Sequence, residues 1–208
     1  IDEITNIFAC NFGAFGWHPI VETLKEYQQN LKITFNETTL YRYHKNFTPL
    51  NTCDALLEIE DDFLPLFIYP WGPFTHNTPS NKSAHNSRFC GPSSDAFIEE
   101  EFHRIVHLFN SIKLYGYRPW NHHQNQITGT FLSDGLGGRR FVVMQGNHRA
   151  AVLTALGWSK IPIRIQPKIC LPKVSLSDKQ NWKYWNNFKT KQSLMISIFN
   201  SFFEKSGF

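Results

Sequence analysis

The sequence lacks several patterns that assign proteins to large classes. Its four cysteines, Cys10, Cys53, Cys90 and Cys170, lie far apart and form no Cys-x-x-Cys pair. This spacing disfavours a structural zinc site and predicts reduced thiols in a cytoplasmic protein. No apolar run is long enough to span a membrane, so we expect no membrane association.

The chain is also poor in charge. Charged residues make up 18% of the sequence and the net charge is +4, which suits an anionic ligand but is too small and dispersed for binding to duplex DNA. A helix-turn-helix pattern and a basic run are both absent, so we expect no nucleic-acid partner. Carboxylates do not cluster, which argues against a nuclease that holds metal ions.

Aromatic side chains, by contrast, are abundant. There are 19 Phe and 6 Trp among 208 residues. A chain of this length can bury a sizeable core in one domain with additions. We expect that core to be rich in aromatic side chains.

The most informative stretch of the chain runs from Arg139 to Ile165. The apolar run Phe141–Met144 predicts a buried strand. Gly146 can adopt backbone angles that other residues avoid, and Asn147 is expected to cap the helix that follows. That helix is expected to end at Gly157 and to lead into a returning strand rich in isoleucine.

The start of this helix is where the sequence places its chemistry. The first turn of a helix leaves backbone N–H groups without partners, and the helix dipole favours an anion there. His148 and Arg149 add side-chain donors at the same point, so the pattern predicts a phosphate site. The alternative is a capped helix whose histidine and arginine lie in water, because helix-start anion sites are common and unspecific.

The motif Gly-Asn-His-Arg-Ala-Ala, followed by Ala-Leu-Gly and Ile-Pro-Ile, resembles the core motif of the ParB/sulfiredoxin-like superfamily. The preceding segments Ile112–Pro119 and Ile127–Asp134 resemble the superfamily's helix–Gly–turn segment and its first hairpin strand. The resemblance covers about residues 93–166 and extends to uncharacterised bacterial proteins of this superfamily.

The resemblance implies nucleotide binding. It assigns the phosphates of ATP or CTP, with Mg²⁺ as the companion ion, to Gly146, His148 and Arg149, and Asn147 would hold the helix-start N–H groups towards them. Sulfiredoxins carry a catalytic cysteine at the position of Asn147, so sulfinic-acid repair through a cysteine is not available here. Arg118 follows the long helix as the superfamily's corresponding segment does, and we expect it near the phosphates as a fixed cation.

Two residues are candidates for catalysis, His148 at the helix start and Asp134 before the glycines of the hairpin loop. Asp134 is also the candidate metal ligand, since a carboxylate can hold a divalent ion on a nucleotide, although Asp before Gly is first of all a turn residue. The adjacent His122 and His123 point in different directions along an extended chain, so at most one can serve the site.

Other polar residues carry weaker signals. His103 and His107 are four apart but lie off the apolar stripe of their helix, which predicts a solvated face rather than a metal site. Arg88 is expected to be a surface charge. Tyr43 and His44 are expected to form an aromatic packing face, with a ligand-facing surface as the alternative.

Composition divides the chain into three segments. Residues 1–92 predict a mainly helical N-terminal extension with a polar loop, residues 93–166 the ParB/sulfiredoxin-like domain, and residues 167–208 a linker and a C-terminal helix. The apolar face of that helix predicts packing on the domain or on a second copy in a homodimer. The expected fold class is α/β (α+β), a small mixed sheet with added N-terminal helices and one C-terminal helix.

A nucleotide site with positioned cations favours a nucleotide-dependent phosphotransferase or NTPase that acts on a small metabolite or sugar. Phosphoryl transfer needs positive charge and little covalent chemistry from the protein. A non-catalytic nucleotide or anion sensor is the first alternative, and a ParB-type nucleic-acid-associated module is the second. The missing feature is a base, because no acidic residue is as clearly placed as the Gly-Asn-His-Arg turn.

Overall fold

A five-stranded mixed sheet lies at the centre of the computed structural model. The structure describes residues 2–13, 16–61, 63–64, 68–73, 87–120, 126–165 and 171–204. Several predictions concern positions outside the described residues, namely those for His122, His123, Cys170 and most of the polar loop that follows residue 73.

The sheet is built on the antiparallel hairpin of β4 (Ile127–Ser133) and β5 (Arg139–Gln145). β1 (Ile4–Thr5) pairs in parallel with β5, so it lies on the outer side of that strand. β6 (Ile163–Arg164) and β7 (Lys173–Ser175) pair in parallel with the first and the last part of β4, respectively. This mixed sheet with flanking helices confirms the α/β fold class.

Six α-helices lie within the described residues. They are α1 (Pro19–Gln29), α2 (Thr39–Asn46), α3 (Thr52–Leu57), α4 (Asp95–Tyr115), α5 (Asn147–Ala155) and α6 (Gln192–Glu204). α1 begins at Pro19, a residue favoured at the first helical position, and α4 follows the N-cap Ser94. A small hairpin of β2 (Ile68–Tyr69) and β3 (Gly72–Pro73) forms a second, two-stranded sheet.

Helices cover both faces of the central sheet, as the alternation along β5 shows. Phe141 and Val143 belong to a hydrophobic cluster with residues of α1, α4 and α5, whereas Val142 and Met144 belong to a cluster with residues of α3 and α6. Successive residues of a strand face opposite sides of a sheet, so the two clusters lie on opposite faces. A strand buried on both faces has a continuous apolar sequence, which is the pattern found here.

The sheet takes strands from all three segments that composition distinguishes. β1 comes from the N-terminal segment and β7 from the C-terminal one, and each pairs with the central hairpin. The sequence predicts neither strand, because its patterns indicate a mainly helical N-terminal extension and a linker at the start of residues 167–208. Strands of two and three residues are too short to show an alternating pattern, so only their pairing with neighbouring strands defines them.

α6 packs on its own chain. Ile198, Phe199 and Phe202 are fully buried, and the other apolar residues of the helix are buried in or packed against the same cluster. Arg140 of β5 donates hydrogen bonds to the carbonyl oxygens of Phe202 (3.1 Å) and Phe203 (3.4 Å). The apolar face on which the predicted homodimer rested is therefore occupied within the chain.

Two expectations from the sequence concern the cysteines and membrane-spanning segments. Cys10, Cys53 and Cys90 are buried and form no disulfide bond. Within the part of the chain that the structure describes, no helix combines the length and the apolar content needed to cross a membrane.

A candidate anion-binding cleft at the start of α5

The turn between β5 and α5 depends on a glycine. Gly146 has a φ of +91° and is the N-cap of α5. Its carbonyl oxygen accepts a hydrogen bond from the N–H of Ala150 (2.9 Å). A Cβ atom at this position would lie 3.0 Å from the carbonyl oxygen of Gln126 and 3.1 Å from Cα of Ile127. Glycine is therefore required both by the backbone angle and by the close approach of β4.

Asn147 is the first residue of α5 and not its cap, so the predicted capping role is wrong. Gly146 takes the cap position, because it is the residue that can adopt the left-handed conformation found there. The side-chain oxygen Oδ1 of Asn147 is buried and has no hydrogen-bond partner among the described residues. A buried acceptor left unpaired costs about 1–3 kcal/mol, and a hydroxyl of a bound ligand is a group that would pair with it.

A cleft of about 360 Å³ opens at this turn. Its volume lies within the range of small-molecule sites, about 300–1,000 Å³. The polar and charged residues that line it are Asn6, His18, Tyr43, His44, Arg88, Glu101, Arg104, Gln145, Asn147, His148 and Arg149. They come from the segment before α1, from α2, from the segment before α4, from α4 itself and from the β5–α5 turn, so the cleft joins parts of the chain that are far apart in sequence.

Glu101 of α4 is the centre of the charged side chains. Its carboxylate is only 4% exposed, and its Oε2 lies 3.0 Å from Nε2 of His148. Its Oε1 lies 2.8 Å from Nη1 of Arg104 and 3.4 Å from Nε of Arg88. Burial opposes ionisation, but the hydrogen bond from His148 and the neighbouring positive charges outweigh it, so the pKa of Glu101 lies below its usual value.

Basic side chains outnumber this one carboxylate. Arg88, Arg104 and Arg149 line the cleft together with His148. Burial lowers the pKa of Arg149, and the nearby Tyr117 opposes that effect, but an arginine stays charged at any physiological pH. The cleft therefore keeps an excess of positive charge beside the start of a helix, which is a setting that favours an anion.

His18 caps α1 and stays neutral. Its Nδ1 accepts a hydrogen bond from the N–H of Ile20 (3.3 Å), and its Nε2 lies 3.4 Å from Nδ2 of Asn6. The orientation of this amide is fixed, because its Oδ1 accepts from the N–H groups of Phe8 and Cys10. A second ring proton would sit on Nδ1 and break the bond from Ile20, which disfavours the charged ring. Burial, followed by the charge of the α5 histidine, lowers the pKa of His18 to about 3.

His44 is a second neutral histidine in the cleft. Its Nδ1 lies 3.2 Å from Oγ of Ser93. Burial lowers the pKa of His44 to about 4, although the carboxylate of Glu101 raises it, and the charges of His148 and Lys45 lower it further. Unlike the arginines nearby, His18 and His44 bring hydrogen-bonding groups without charge.

A close backbone contact places Arg88 at the cleft. Gly91 donates from its N–H to the carbonyl oxygen of Phe47 (2.7 Å), and Ser93 donates to that of His44 (3.2 Å). A Cβ atom on Gly91 would lie 2.0 Å from the carbonyl oxygen of His44, so the segment can dock on the end of α2 only with a glycine there. Arg88 is exposed, which confirms the prediction of a surface charge, and this docking also directs its side chain towards Glu101.

The structure brings together four of the six predicted site residues. Gly146, Asn147, His148 and Arg149 all line the cleft. Arg118 is exposed and does not belong to the lining, so its predicted place beside the phosphates is wrong, although its neighbour Tyr117 acts electrostatically on Arg149.

Asp134 is a turn residue and lies outside the cleft. Its Oδ1 accepts hydrogen bonds from the N–H groups of Leu136 (2.7 Å) and Gly138 (2.9 Å). It stands at the hairpin end of β5, whereas Gly146 follows the opposite end of this seven-residue strand, a separation of about 20 Å. The structure therefore does not bring Asp134, the candidate catalytic and metal-binding residue, together with the residues of the cleft.

Sequence reasoning missed Glu101, Arg104 and His18, and it gave a ligand-facing role for His44 only as the alternative. A signal for Glu101 was present: it stands three residues after Ile98 and four before Ile105, so it falls within the apolar stripe of α4. An acidic residue in such a stripe must be paired when it is buried. Arg104 and His18 carry no local signal, because only the tertiary fold brings them to the start of α5.

The lining fits phosphates better than a metal ion held by protein carboxylates. The glycine turn, the helix start and the excess of arginines are the features that phosphate sites use. Glu101 is the one acidic side chain among the described residues that line the cleft, and three basic side chains already surround it. Among the described residues, no group of three or more His, Cys, Asp or Glu side chains is arranged to hold a metal ion. Mg²⁺ would therefore be held here chiefly by phosphate oxygens and water.

Comparison with known proteins gives no relative of this chain: no family model matches it, and no significant match is found among curated proteins or among solved structures. The likeness of the Gly-Asn-His-Arg motif to the ParB/sulfiredoxin-like superfamily therefore stays a prediction. What the site can do has to be argued from its own geometry.

Proposed function

We propose that the chain binds a nucleoside triphosphate, ATP or CTP, at the start of α5 and transfers the terminal phosphoryl group to a small metabolite or sugar. The observation that carries the proposal is the pair of the buried Glu101 and the half-buried His148, which lies in a cleft with an excess of arginines. The pair supplies a group that can move a proton, and the arginines supply charge stabilisation.

The phosphates occupy the turn after β5 in this proposal. Gly146 lets the chain approach closely, and the N–H groups of the first helical turn point at the anion. Arg149 and Arg104 stabilise the charge that spreads over the phosphoryl oxygens during transfer. Mg²⁺ bound to the phosphates supplies further neutralisation.

The proton of the acceptor hydroxyl goes to His148. Because Nε2 of its ring donates to Glu101, Nδ1 is the nitrogen that holds the lone pair in the neutral ring. As the hydroxyl oxygen forms its bond to the terminal phosphorus, Nδ1 takes the proton, and the bond from phosphorus to the bridging oxygen breaks to release the nucleoside diphosphate. The carboxylate of Glu101 orients the ring and stabilises the imidazolium that forms.

A thermal-shift screen of nucleoside triphosphates with and without Mg²⁺ tests the binding step. A ligand at a hundred times its dissociation constant adds about 2.7 kcal/mol of stability. Arg149→Ala should weaken binding by about 1.5–3 kcal/mol, the range for a charge-assisted hydrogen bond. Arg139→Ala, a change at an exposed arginine of β5, is the matched control. If folded Arg149→Ala binds the triphosphate as tightly as the parent protein does, the phosphates do not lie at this turn.

A nucleotide sensor without turnover is the second candidate. It is favoured by one observation: the only acidic side chain among the described residues of the lining is engaged by basic groups, so the protein offers Mg²⁺ no free carboxylate there. Release of nucleoside diphosphate in the presence of acceptors separates the two candidates. Turnover that Glu101→Gln abolishes, while nucleotide binding persists, supports the enzyme. Tight binding with no turnover in the parent protein supports the sensor.

A further inference from the structure

The cleft has two chemically different halves. The phosphate half consists of the start of α5 with Arg88, Arg104 and His148. The histidine half consists of His18 and His44 with the side chains of α1 and α2 beside them, of which Ile20 and Leu40 are apolar. The proposed nucleotide uses the first half and leaves the second without a ligand.

We propose that the histidine half binds the acceptor, and that this acceptor is an uncharged polyhydroxyl compound of the size of a small polyol or a monosaccharide. This inference rests on the proposed phosphotransferase function and names the substrate class of the same site. It follows from the hydrogen-bonding groups that this half offers, from the charges that it lacks and from the space that it provides.

The hydrogen-bonding groups of this half suit hydroxyls. The contact of His44 with Ser93 Oγ involves Nδ1, and Ser93 is its one hydrogen-bond partner among the described residues. Nε2 therefore remains for a ligand in the cleft that His44 lines. A neutral imidazole nitrogen donates or accepts according to its tautomer, and a hydroxyl does both. From the phosphate half, the buried Oδ1 of Asn147, which lacks a partner among the described residues, adds an acceptor for a second hydroxyl.

The charges of the cleft select against an ionic acceptor. A buried ammonium group needs a carboxylate partner, but Glu101, the one acidic side chain among the described lining residues, already lies within 3.4 Å of three basic side chains. An anionic acceptor would be drawn to the arginines, where it would compete with the phosphates. His18 is buried and its Nδ1 accepts from the N–H of Ile20, so it does not gain a charge to pair with an anion on its own side of the cleft.

The space limits the size of the acceptor. The whole cleft measures about 360 Å³, and the phosphates take part of it. The remainder is lined by residues of α1 and α2, among them Ile20 and Leu40. A polyol or a single sugar ring is of the right size, whereas an oligosaccharide or a protein side chain on a folded surface is not.

A matched set of three-carbon acceptors tests the inference. Glycerol, 2-amino-1,3-propanediol and glycerate differ mainly in charge, and erythritol and ribose extend the uncharged series. With saturating Mg²⁺ and triphosphate, the release of nucleoside diphosphate should show kcat/KM at least tenfold higher for an uncharged acceptor than for the charged ones. Equal or greater activity with an ammonium or carboxylate acceptor would overturn the inference and leave the phosphotransferase standing.

Variants of His44 test the location. His44→Asn should raise KM for the best uncharged acceptor at least tenfold and leave the Kd of the nucleotide unchanged. His44→Gln should give a KM between that of the parent protein and that of His44→Asn. His44→Asp should shift preference towards 2-amino-1,3-propanediol. His107→Asn, at an exposed position of α4, is the control and should change neither constant. An unchanged KM in nucleotide-binding His44→Asn would overturn the location.

The remaining outcomes separate the two proposals. If the protein binds the nucleotide but no acceptor of the panel accelerates release of the diphosphate, the acceptor inference fails and nucleotide binding stands. If no triphosphate binds, the proposed function fails and the acceptor inference falls with it.

Discussion

Burial opposes a charge on both Glu101 and His18, and their partners lead to different results. Glu101 keeps its charge because His148 and two arginines lie around its carboxylate, and its pKa is therefore low. His18 loses its charge because it is buried and because the charge of His148 lowers its pKa further. The cleft thus contains one fixed negative charge and two neutral histidines at neutral pH, and this distribution follows from contacts rather than from residue type.

Glu101→Gln tests the buried carboxylate. We expect the free energy of unfolding at pH 7 to fall by about 1–3 kcal/mol, less than for a fully buried ion pair because the arginines are partly exposed and can rehydrate. A carboxyl whose folded pKa is depressed stabilises the fold above its unfolded pKa of about 4.3. That contribution is lost as the pH falls through the folded value, so parent and variant should converge in strong acid. Denaturant unfolding at a series of pH values measures both effects.

The control for this variant is Glu100→Gln. Glu100 lies one residue earlier on α4 and also pairs with Arg104 (2.9 Å), but its side chain is 70% exposed. Exposed ion pairs contribute about 0–1 kcal/mol. An equal loss of stability in the two variants would show that Glu101 has no special role.

His18→Asn tests the neutral histidine. The pKa of His18 is about 3 in the fold and about 6.5 when unfolded. A histidine with a depressed pKa makes stability fall as the pH drops from the unfolded towards the folded value, by about 1.4 kcal/mol per pH unit. His44 adds a similar slope down to its pKa of about 4. Asparagine is a good N-cap and does not titrate, so the variant should show a flatter dependence of stability on pH between about 6.5 and 4.

The measurement for His18→Asn is the slope of unfolding free energy against pH rather than its absolute value. The variant also loses the stacking of His18 on Phe12, which lowers stability at every pH. His103→Asn is the control, because its side chain is 71% exposed. A slope unchanged in His18→Asn would mean that His18 is protonated in the fold.

Asn147→Ala separates a ligand-facing asparagine from a capping one. A capping asparagine loses about 0.5–2 kcal/mol of stability on change to alanine. Asn147 makes no such bond, and removal of its unpaired oxygen should leave the free protein unchanged or stabilise it by up to about 1 kcal/mol. Asn51 caps α3 by accepting from the N–H of Asp54 (3.0 Å), so Asn51→Ala should show the full loss. Thermal unfolding of both variants without ligand measures these changes in stability. An equal loss of stability in the two variants would show that Asn147 is a capping residue.

At the scale of the element, the sequence was enough to place a helix or strand wherever that element carries its own apolar periodicity. α1, α4, α5 and the hairpin of β4 and β5 could be placed from apolar spacing, from Pro19 and Ser94 at helix starts and from Gly146 and Gly157 around α5. The short strands β1 and β7 could not, because pairing rather than sequence defines them. The turn at 146–149 was predicted as a site because its own sequence carries the signal. Its partners on α2 and α4 were not predicted as part of that site, because only the tertiary fold brings them there.

Arg140→Ala tests how α6 is held on the sheet. The guanidinium donates to two carbonyl oxygens at the end of α6 and lies 5.6 Å from the centre of the Phe203 ring. A cation at a helix C-terminus also interacts favourably with the helix dipole. We expect a loss of about 1–3 kcal/mol of stability and faster hydrogen exchange in α6. Arg139→Ala, at the exposed position next to it, should stay within about 0.5 kcal/mol of the parent. Equal exchange in the two variants would mean that Arg140 does not fasten the helix.

At the scale of the whole molecule, the cleft exists because three parts of the chain share one sheet. The segment before α1 is held by β1 beside β5 and brings His18 to the turn. α4 packs on α5 and brings Glu101 within reach of His148. Sequence analysis located the turn but had no means to find these partners, since nothing in residues 1–92 signals which later strand they join.

The same arrangement predicts that residues 93–166 do not fold alone. The cluster on one face of β5 would lose buried residues of β1, α1 and α2, among them Ile4, Leu24 and Leu40. The opposite face would expose Val142 and Met144, which α6 and the β2–β3 hairpin help to bury in the whole chain. Apolar burial contributes about 25 cal/mol per Å², so a sheet stripped on both faces should lack the free energy to order its backbone. Circular dichroism and hydrogen exchange should show one cooperative transition for the full chain and none for the fragment. A fragment with a sigmoidal melting curve and protected amides in β4 and β5 would instead make these residues an autonomous domain.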